Sequence, residues 1–201
     1  MDLNYNYDEQ WLVTALANPG TRKPWGISSA KDLASWICDR DSVLPQGSMT
    51  AHHIDSHDTF WWPSWGTKWR REQFGIQYVR LLTSMFGLLP GPFMMFIGGE
   101  EGIEDLLPKI ARIKSNAVWS LGKSHWWLSS YTPEDIFGLT HHQEKKAISL
   151  LINVSERVSR FDSEIPMESV EVLLQEGNFS LAGNVLELAP RSVIVLAHDW
   201  M

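Results

Sequence analysis

About two thirds of the way along the chain, the hydrophobic rhythm changes. Up to about Ser115, apolar runs of strand length alternate with segments of helical period. From Gly122 onward, short β-rich segments dominate, separated by turn residues. Strands alternating with helices build parallel sheets that are covered on both faces. Several short strands at close spacing build antiparallel sandwiches. The 201 residues are therefore expected to hold two architectures, an α/β part over residues 1–120 and an all-β sandwich over residues 121–201.

In the first part, Ala30 to Asp39 reads as a helix with Leu33, Trp36 and Ile37 on one face, and Ser29 with Asp32 resembles a capping box. Ser48 to Ile54 reads as a short strand after the break at Gln46-Gly47. A Trp-rich loop follows from Phe60 to Trp69, and Lys68, Arg70 and Arg71 read as a solvated helix start. Glu72 to Phe86 is the clearest helix, with Phe74, Tyr78, Leu81, Leu82 and Met85 on one face and Gly87 as its stop. Phe93 to Ile97 is a continuous apolar run of strand length. Ile103 to Lys114 is helical again, with Pro108 breaking it or starting a second piece. The second part has strand candidates at 125–131, 136–142, 147–154, 169–174, 185–188 and 192–198. Trp126 and Trp127 alternate on the first of these, so one faces the sandwich core and the other faces outward or toward the α/β part.

Charge narrows the partners. Asp and Glu number 24 against 17 Lys and Arg, a net charge of −7, which disfavours a phosphate backbone and excludes nucleic acid as the expected partner. The most apolar stretch, Leu88 to Ile97, is short and interrupted by Pro90, Gly91 and Pro92, so no membrane span is expected. Met1 to Asn6 has neither a basic nor an apolar leader region, and the single Cys38 excludes an intrachain disulfide framework. Both fit a cytoplasmic protein. His52-His53 and His141-His142 are adjacent pairs whose rings point apart on a strand. Neither has a third ligand nearby, so no metal site is expected.

Two segments carry the ionisable groups. Ile54-Asp55-Ser56-His57-Asp58-Thr59 lies where a parallel strand should end, the position at which such sheets hold their sites. Read alone, it is either a polar turn capping the strand or a site. Alternation sends Asp55 and Asp58 to opposite faces, which makes Asp55 an outward or supporting anchor. The second segment is Pro90-Gly91-Pro92, then the apolar run, then Gly98-Gly99-Glu100-Glu101. Its glycines have a sufficient structural reason, and either glutamate reads as a loop anchor. Trp61, Trp62, Trp65 and Trp69 crowd into the intervening loop. They either pack it onto the next helix or offer aromatic faces to a pyranose.

Together these segments resemble the alpha-amylase family of glycoside hydrolases, family 13, over nearly the whole chain. Ser56-His57-Asp58 stands where the family has a strand ending in Asn-His-Asp. Gly91 through Gly98-Gly99-Glu100 is similar to its later Gly, apolar strand, Gly-x-Glu segment, and Tyr5-Asn6-Tyr7-Asp8 looks like the exit of the sixth barrel strand. The resemblance implies a partial (β/α)8 barrel, about units 6–8, followed by a small antiparallel β-sandwich. It implies that Asp58 is the carboxylate that supports the transition state and that His57 binds the sugar. Trp61 and Trp62 would touch substrate, while Asp55, Ser56 and Glu100 support the site.

The substrate implied is an α-glucan or α-glucoside, cleaved or transferred with retention, and no cofactor is implied. Retaining chemistry needs two carboxylates about 5–5.5 Å apart, and the family's nucleophile and general acid come from earlier strands. No segment here resembles Gly-Phe-Arg-x-Asp. A complete barrel needs roughly 250 residues, so about three strand–helix units fit before the sandwich. The expectation is the C-terminal portion of a larger enzyme, inactive alone and partnered by the missing N-terminal half of the barrel. The alternative is a carbohydrate-binding subunit without catalysis.

Overall fold

In a computed structural model, residues 3–5, 27–57, 68–163, 165–166 and 169–200 are described. β1 (Leu3–Tyr5) pairs in parallel with β2 (Met49–Ala51), Leu3 opposite Met49 and Tyr5 opposite Ala51. The connection between them contains α1 (Ala30–Ser42). A third parallel segment joins through one bridge, His52 to Phe93. There the His52 N–H donates to the Pro92 carbonyl at 2.9 Å, and the Met94 N–H donates to the His52 carbonyl at 2.8 Å. Between them lie α2 (Arg70–Phe74) and α3 (Ile76–Leu88), and α4 (Leu106–Lys114) and α5 (Ala117–Leu121) follow. This is a partial barrel wall: parallel extended segments joined by helical crossovers.

Local chemistry explains where these elements start and stop. Ser29 caps α1 by accepting the Asp32 N–H at 3.0 Å, and Asp32 reaches one residue further back than a capping box would, to the Ser28 N–H and hydroxyl. The long helix expected from Glu72 is two helices, because Gly75 takes φ +82 and turns the chain between them. Gly87 does not stop α3 but lies inside it. A Cβ there would sit 3.1 Å from Ile110, so its bareness lets α4 approach. The helix ends instead at Leu88, with Leu89 extended ahead of Pro90. Pro108 falls in the first turn of α4, where its missing N–H would have had no helical partner. The run Phe93–Ile97, expected as a strand, pairs among the described residues only at Phe93.

Gly91 is the tightest point of this wall. Its φ is +108, and a Cβ would lie 2.1 Å from the Thr50 carbonyl oxygen. Only glycine lets the chain leaving α3 pass against β2. Lys114 seals the same turn, donating to the Leu89 carbonyl at 3.0 Å and the Gly91 carbonyl at 2.5 Å.

The all-β part forms two antiparallel sheets. The larger has the order β3-β4-β5-β10-β7, comprising Lys123–Trp126, Ile136–Gln143, Lys146–Asn153, Ser192–Asp199 and Glu171–Glu176. The smaller has the order β6-β9-β8, comprising Ser159–Asp162, Val185–Leu188 and Phe179–Ala182. β6 and β8 were not expected; both are four residues long and half exposed. The three central strands of the larger sheet, β4, β5 and β10, are buried on both faces. Phe137, Leu139, Ile148, Leu150, Ile152, Val193 and Val195 pack with Leu33, Ile37, Leu82 and Phe86 of the helices. Their neighbours Ile136, Leu151, Ile194 and Leu196 pack with Phe161, Leu186 and Leu188 of the smaller sheet. Trp126 and Trp127 divide the same way, edge-on to Phe137 and to Phe161 respectively.

Polar contacts fix the sheet to the helices. Arg80 of α3 forks onto two carboxylates: its Nη1 lies 2.7 Å from Asp105 at the start of α4, and its Nη2 lies 2.7 Å from Glu176 of β7. The Arg80 hydrogen bonds hold the Asp105 carboxyl well below its usual range. Trp119 donates to the Leu88 carbonyl and stacks on His141 of β4, ring centroids 4.4 Å apart. Inside the sheet a polar chain runs across strands: Trp127 Nε1 donates to Thr140, Thr140 meets Ser149 at 2.7 Å, and Ser149 meets His198 Nε2 at 2.8 Å. His198 Nδ1 faces the Asp199 carbonyl at 2.8 Å. A carbonyl can only accept, so Nδ1 carries the proton and Nε2 accepts from Ser149.

Two outcomes follow from this packing. Gly91→Ala is expected to lower stability by at least about 2 kcal/mol. Gly47→Ala, which shares a positive φ but meets no atom within 4 Å, should cost about 1 kcal/mol; urea midpoints of the two variants measure the difference. Burial pushes the His141 pKa down to about 4 from 6.5. Between those values the unfolded chain holds a proton that the folded chain lacks, so stability falls as pH drops from 6.5 toward 4. His141→Phe, which keeps the stack on Trp119, should flatten that slope in urea titrations at pH 7 and pH 5.

Candidate functional site

The carboxyl end of β2 runs directly into Ile54-Asp55-Ser56-His57. Asp55 and Ser56 are buried and His57 is exposed. Of the two positions open to Asp55, the molecule has the anchoring one. Its Oδ1 accepts the Arg70 N–H at 3.0 Å, fifteen positions ahead. Burial raises the Asp55 pKa, against the opposing pull of that N–H and of the Arg70 and Arg71 charges. The contact ties the end of the strand to the start of α2. Asp58, Trp61, Trp62 and Trp65, which lie between these two anchors in sequence, are outside the described residues.

Arg70 corrects the expectation of a solvated helix start. It is 1% exposed, its Nη1 donates to Gln73 at 2.6 Å, and its guanidinium lies 5.7 Å from the Phe74 ring centroid. Lys68 alone of the three is exposed. Arg71 reaches across to the turn that follows the third parallel segment. It donates to the Gly98 carbonyl at 2.9 Å, pairs with Glu101 at 2.6 Å and covers the Trp69 ring at 4.5 Å. Trp69 in turn packs under Gly98, where a Cβ would meet its ring at 3.1 Å, and tilts against Phe96.

Glu100 and Glu101 therefore do different work. Glu100 is exposed and accepts the Gly98 N–H at 2.7 Å, closing its own turn. Glu101 bridges to Arg71. The result is a joint between the two strand ends: Asp55 and Arg70 on one side, Arg71, Trp69, Gly98 and Glu101 on the other. Sequence reading missed Arg70 and Arg71 as parts of this joint. Their usable signal was position at the start of the helix that follows the strand end, from which Arg71 reaches the neighbouring segment. Among the described residues, no group of three or more His, Cys, Asp or Glu side chains is arranged to hold a metal ion. No described helix is long and apolar enough to cross a membrane.

Comparison with protein-family models and with curated protein sequences finds no match. Solved structures do match. Eubacterium rectale Amy13B aligns with a TM-score of 0.72 at 12% identity, over 100% of this chain and 49% of that one. An alpha-amylase from Lactobacillus plantarum aligns with a TM-score of 0.72 at 14% identity, over 98% and 48%. An alpha-amylase from H. orenii aligns with a TM-score of 0.64 at 16% identity, over 98% and 49%. The chain thus spans about half the length of the structures it matches, and at these identities the likeness is one of fold: a partial barrel followed by a sandwich.

The Asp55 anchor has a measurable consequence. Asp55→Ala removes the acceptor of the Arg70 N–H and a carboxylate whose charge acts on the buried Arg70 guanidinium. It is expected to lower stability by about 1–3 kcal/mol and to speed amide hydrogen exchange in 70–74 ahead of the rest of the chain. Unchanged protection there would count against the anchor.

Proposed function

We propose that this chain is the C-terminal part of an alpha-amylase-type retaining glycoside hydrolase or transglycosylase acting on α-glucosidic bonds in carbohydrate metabolism. In this reading residues 1–120 supply the late units of the catalytic barrel and residues 121–201 its C-terminal sandwich. One observation carries the proposal. Ser56-His57-Asp58 follows β2, and Gly98-Gly99-Glu100 ends the adjoining parallel segment, on a fold like that of half an alpha-amylase.

The roles follow from the chemistry of glycoside cleavage. The transition state is oxocarbenium-like, and carboxylates and hydroxyl hydrogen bonds that strengthen as charge develops lower its energy. Asp58 is the carboxylate for that purpose, His57 hydrogen-bonds the sugar beside it, and Trp61 and Trp62 offer ring faces to the substrate. Asp55, Ser56 and Glu100 support these positions rather than touching the reacting atoms. Covalent displacement needs a nucleophile and a general acid on either side of the bond. The sequence has no Gly-Phe-Arg-x-Asp segment, so these belong to the whole protein, whose remaining strands would cover the edges of β1 and of the Phe93 segment.

The purified chain is expected to bind maltooligosaccharides weakly without turning them over. His57→Ala and Asp58→Asn should each weaken the binding roughly tenfold or more. Turnover of a nitrophenyl α-glucoside that Asp58→Asn abolishes would refute the incomplete-site reading. Binding indifferent to both substitutions would refute the site itself. The rival, a saccharide-binding subunit without catalysis, is favoured if adding an upstream half that bears the nucleophile yields no turnover.

A further inference from the structure

The segment 97–105, which follows the Phe93 segment, is a succession of turns with no helix or strand. Its internal bonds are short-range: the Gly98 and Gly102 N–H groups donate to Glu100 and Glu104, and the Ile103 N–H donates to the Glu100 carbonyl. Two arginines on successive helices hold it from outside, and each takes one backbone carbonyl and one carboxylate of it. Arg71 of α2 donates to the Gly98 carbonyl and to Glu101. Arg80 of α3 donates to the Gly102 carbonyl at 2.9 Å and to the two Asp105 oxygens at 2.7 and 3.0 Å. Between these points Gly102 has φ +84, and a Cβ there would lie 2.6 Å from Ile76 Cδ1, so the turn is pressed against the start of α3.

Arg80 reaches beyond the turn. Its Nε and Nη2 also donate to the two oxygens of Glu176 on β7, both at 2.7 Å. These contacts engage every N–H of the guanidinium. A bidentate fork within a network is the arrangement in which a charge pair near the surface carries weight. The Arg80 side chain is 19% exposed and that of Glu176 20%, so water competes little for this pair. Asp105 has a second cation in Lys109 at 3.4 Å, which matches the two carboxylates with two positive charges. A continuous polar route therefore runs from β7 of the sandwich through Arg80, the turn and Arg71 to α2. The first N–H of α2 is in turn tied to Asp55, two positions before His57.

We propose that Arg80 is a positioning residue for the strand-end site: anchored on Glu176 of the sandwich, it fixes the turn that carries Glu100 relative to Asp55 and His57. This rests on the saccharide-binding role proposed for that site, and it makes the geometry of the site depend on the sandwich. The test uses the full chain with Glu176→Gln, with Arg71→Gln and with both. Amide hydrogen exchange reads the turn, and titration with maltoheptaose followed by ligand-observed NMR reads the site. Glu176 lies on β7 and outside both hydrophobic cores. In Glu176→Gln, exchange across 98–105 is expected to quicken about threefold or more, and maltoheptaose binding to weaken about threefold. Exchange in β4 and β5 should stay as in the parent, which separates the effect from a loss of global stability. Both arginines act on one turn, so the double variant should lose less binding than the product of the two single losses; losses that simply multiply would overturn the shared route. If the parent chain binds no maltoheptaose, the strand-end reading falls and this one falls with it. If the parent binds, and Glu176→Gln alters only one of the two readouts or neither, the positioning role alone is overturned and the strand-end site stands.

Discussion

The central strands of the five-stranded sheet, β4, β5 and β10, are buried on both faces, and nearly every other feature of the described residues depends on that. One face of it is the floor on which α1, α3 and α4 rest; the other is half of the sandwich. Alternate residues of a strand serve alternate cores, as Leu150 and Leu151 do, or Val193 and Ile194. Roughly 25 cal/mol per Å² of apolar surface removed from water makes such a shared wall the main source of cohesion. The helices of the partial barrel would otherwise present their apolar faces to solvent. The parallel segments β1, β2 and Phe93 are short and joined by few ladder bonds, so they cannot hold the helices alone.

That double burial also explains what the sequence disclosed and what it hid. Antiparallel strands with one wet face alternate apolar and polar residues, whereas Ala147–Ile152 and Val193–Leu196 run nearly without a polar break, a pattern usual for parallel strands. Turn residues, not alternation, made these strands legible, at Glu144-Lys145 and Pro190-Arg191. β6 and β8 were illegible because Ser159–Asp162 and Phe179–Ala182 are short, edge-placed and only half apolar. The helical period identified α3 correctly, yet the period continues through Gly75 and so concealed the break there. Phe93–Ile97 has the composition of a strand, but the turn at Gly98-Gly99 and the contacts of Trp69 take over after one bridge.

The strand-end cluster was legible as chemistry but not as architecture. Asp55-Ser56-His57 and Gly98-Gly99-Glu100 stand out in the sequence because ionisable groups and glycines concentrate where apolar runs end. Nothing local distinguishes Arg70, buried against Phe74 and Gln73, from Arg71, which crosses to Glu101, or from Lys68, which faces water. Their fates are set by which side of α2 meets the neighbouring segment, a long-range fact. The division of labour between Glu100 and Glu101 has the same origin: one carboxylate closes its own turn, and the other reaches a partner thirty positions away.

The Asp55–Arg70 contact has a consequence for how a protein of this design can vary. It fixes the two ends of the segment between strand and helix whatever that segment's length. The entropy of closing a loop grows only with the logarithm of its length, about 0.6 kcal/mol per doubling. Insertions between these anchors are therefore thermodynamically inexpensive, because the strand end and the helix start stay tied to each other. Under the proposed function, this is the position where ligand preference would drift while the scaffold stays unchanged.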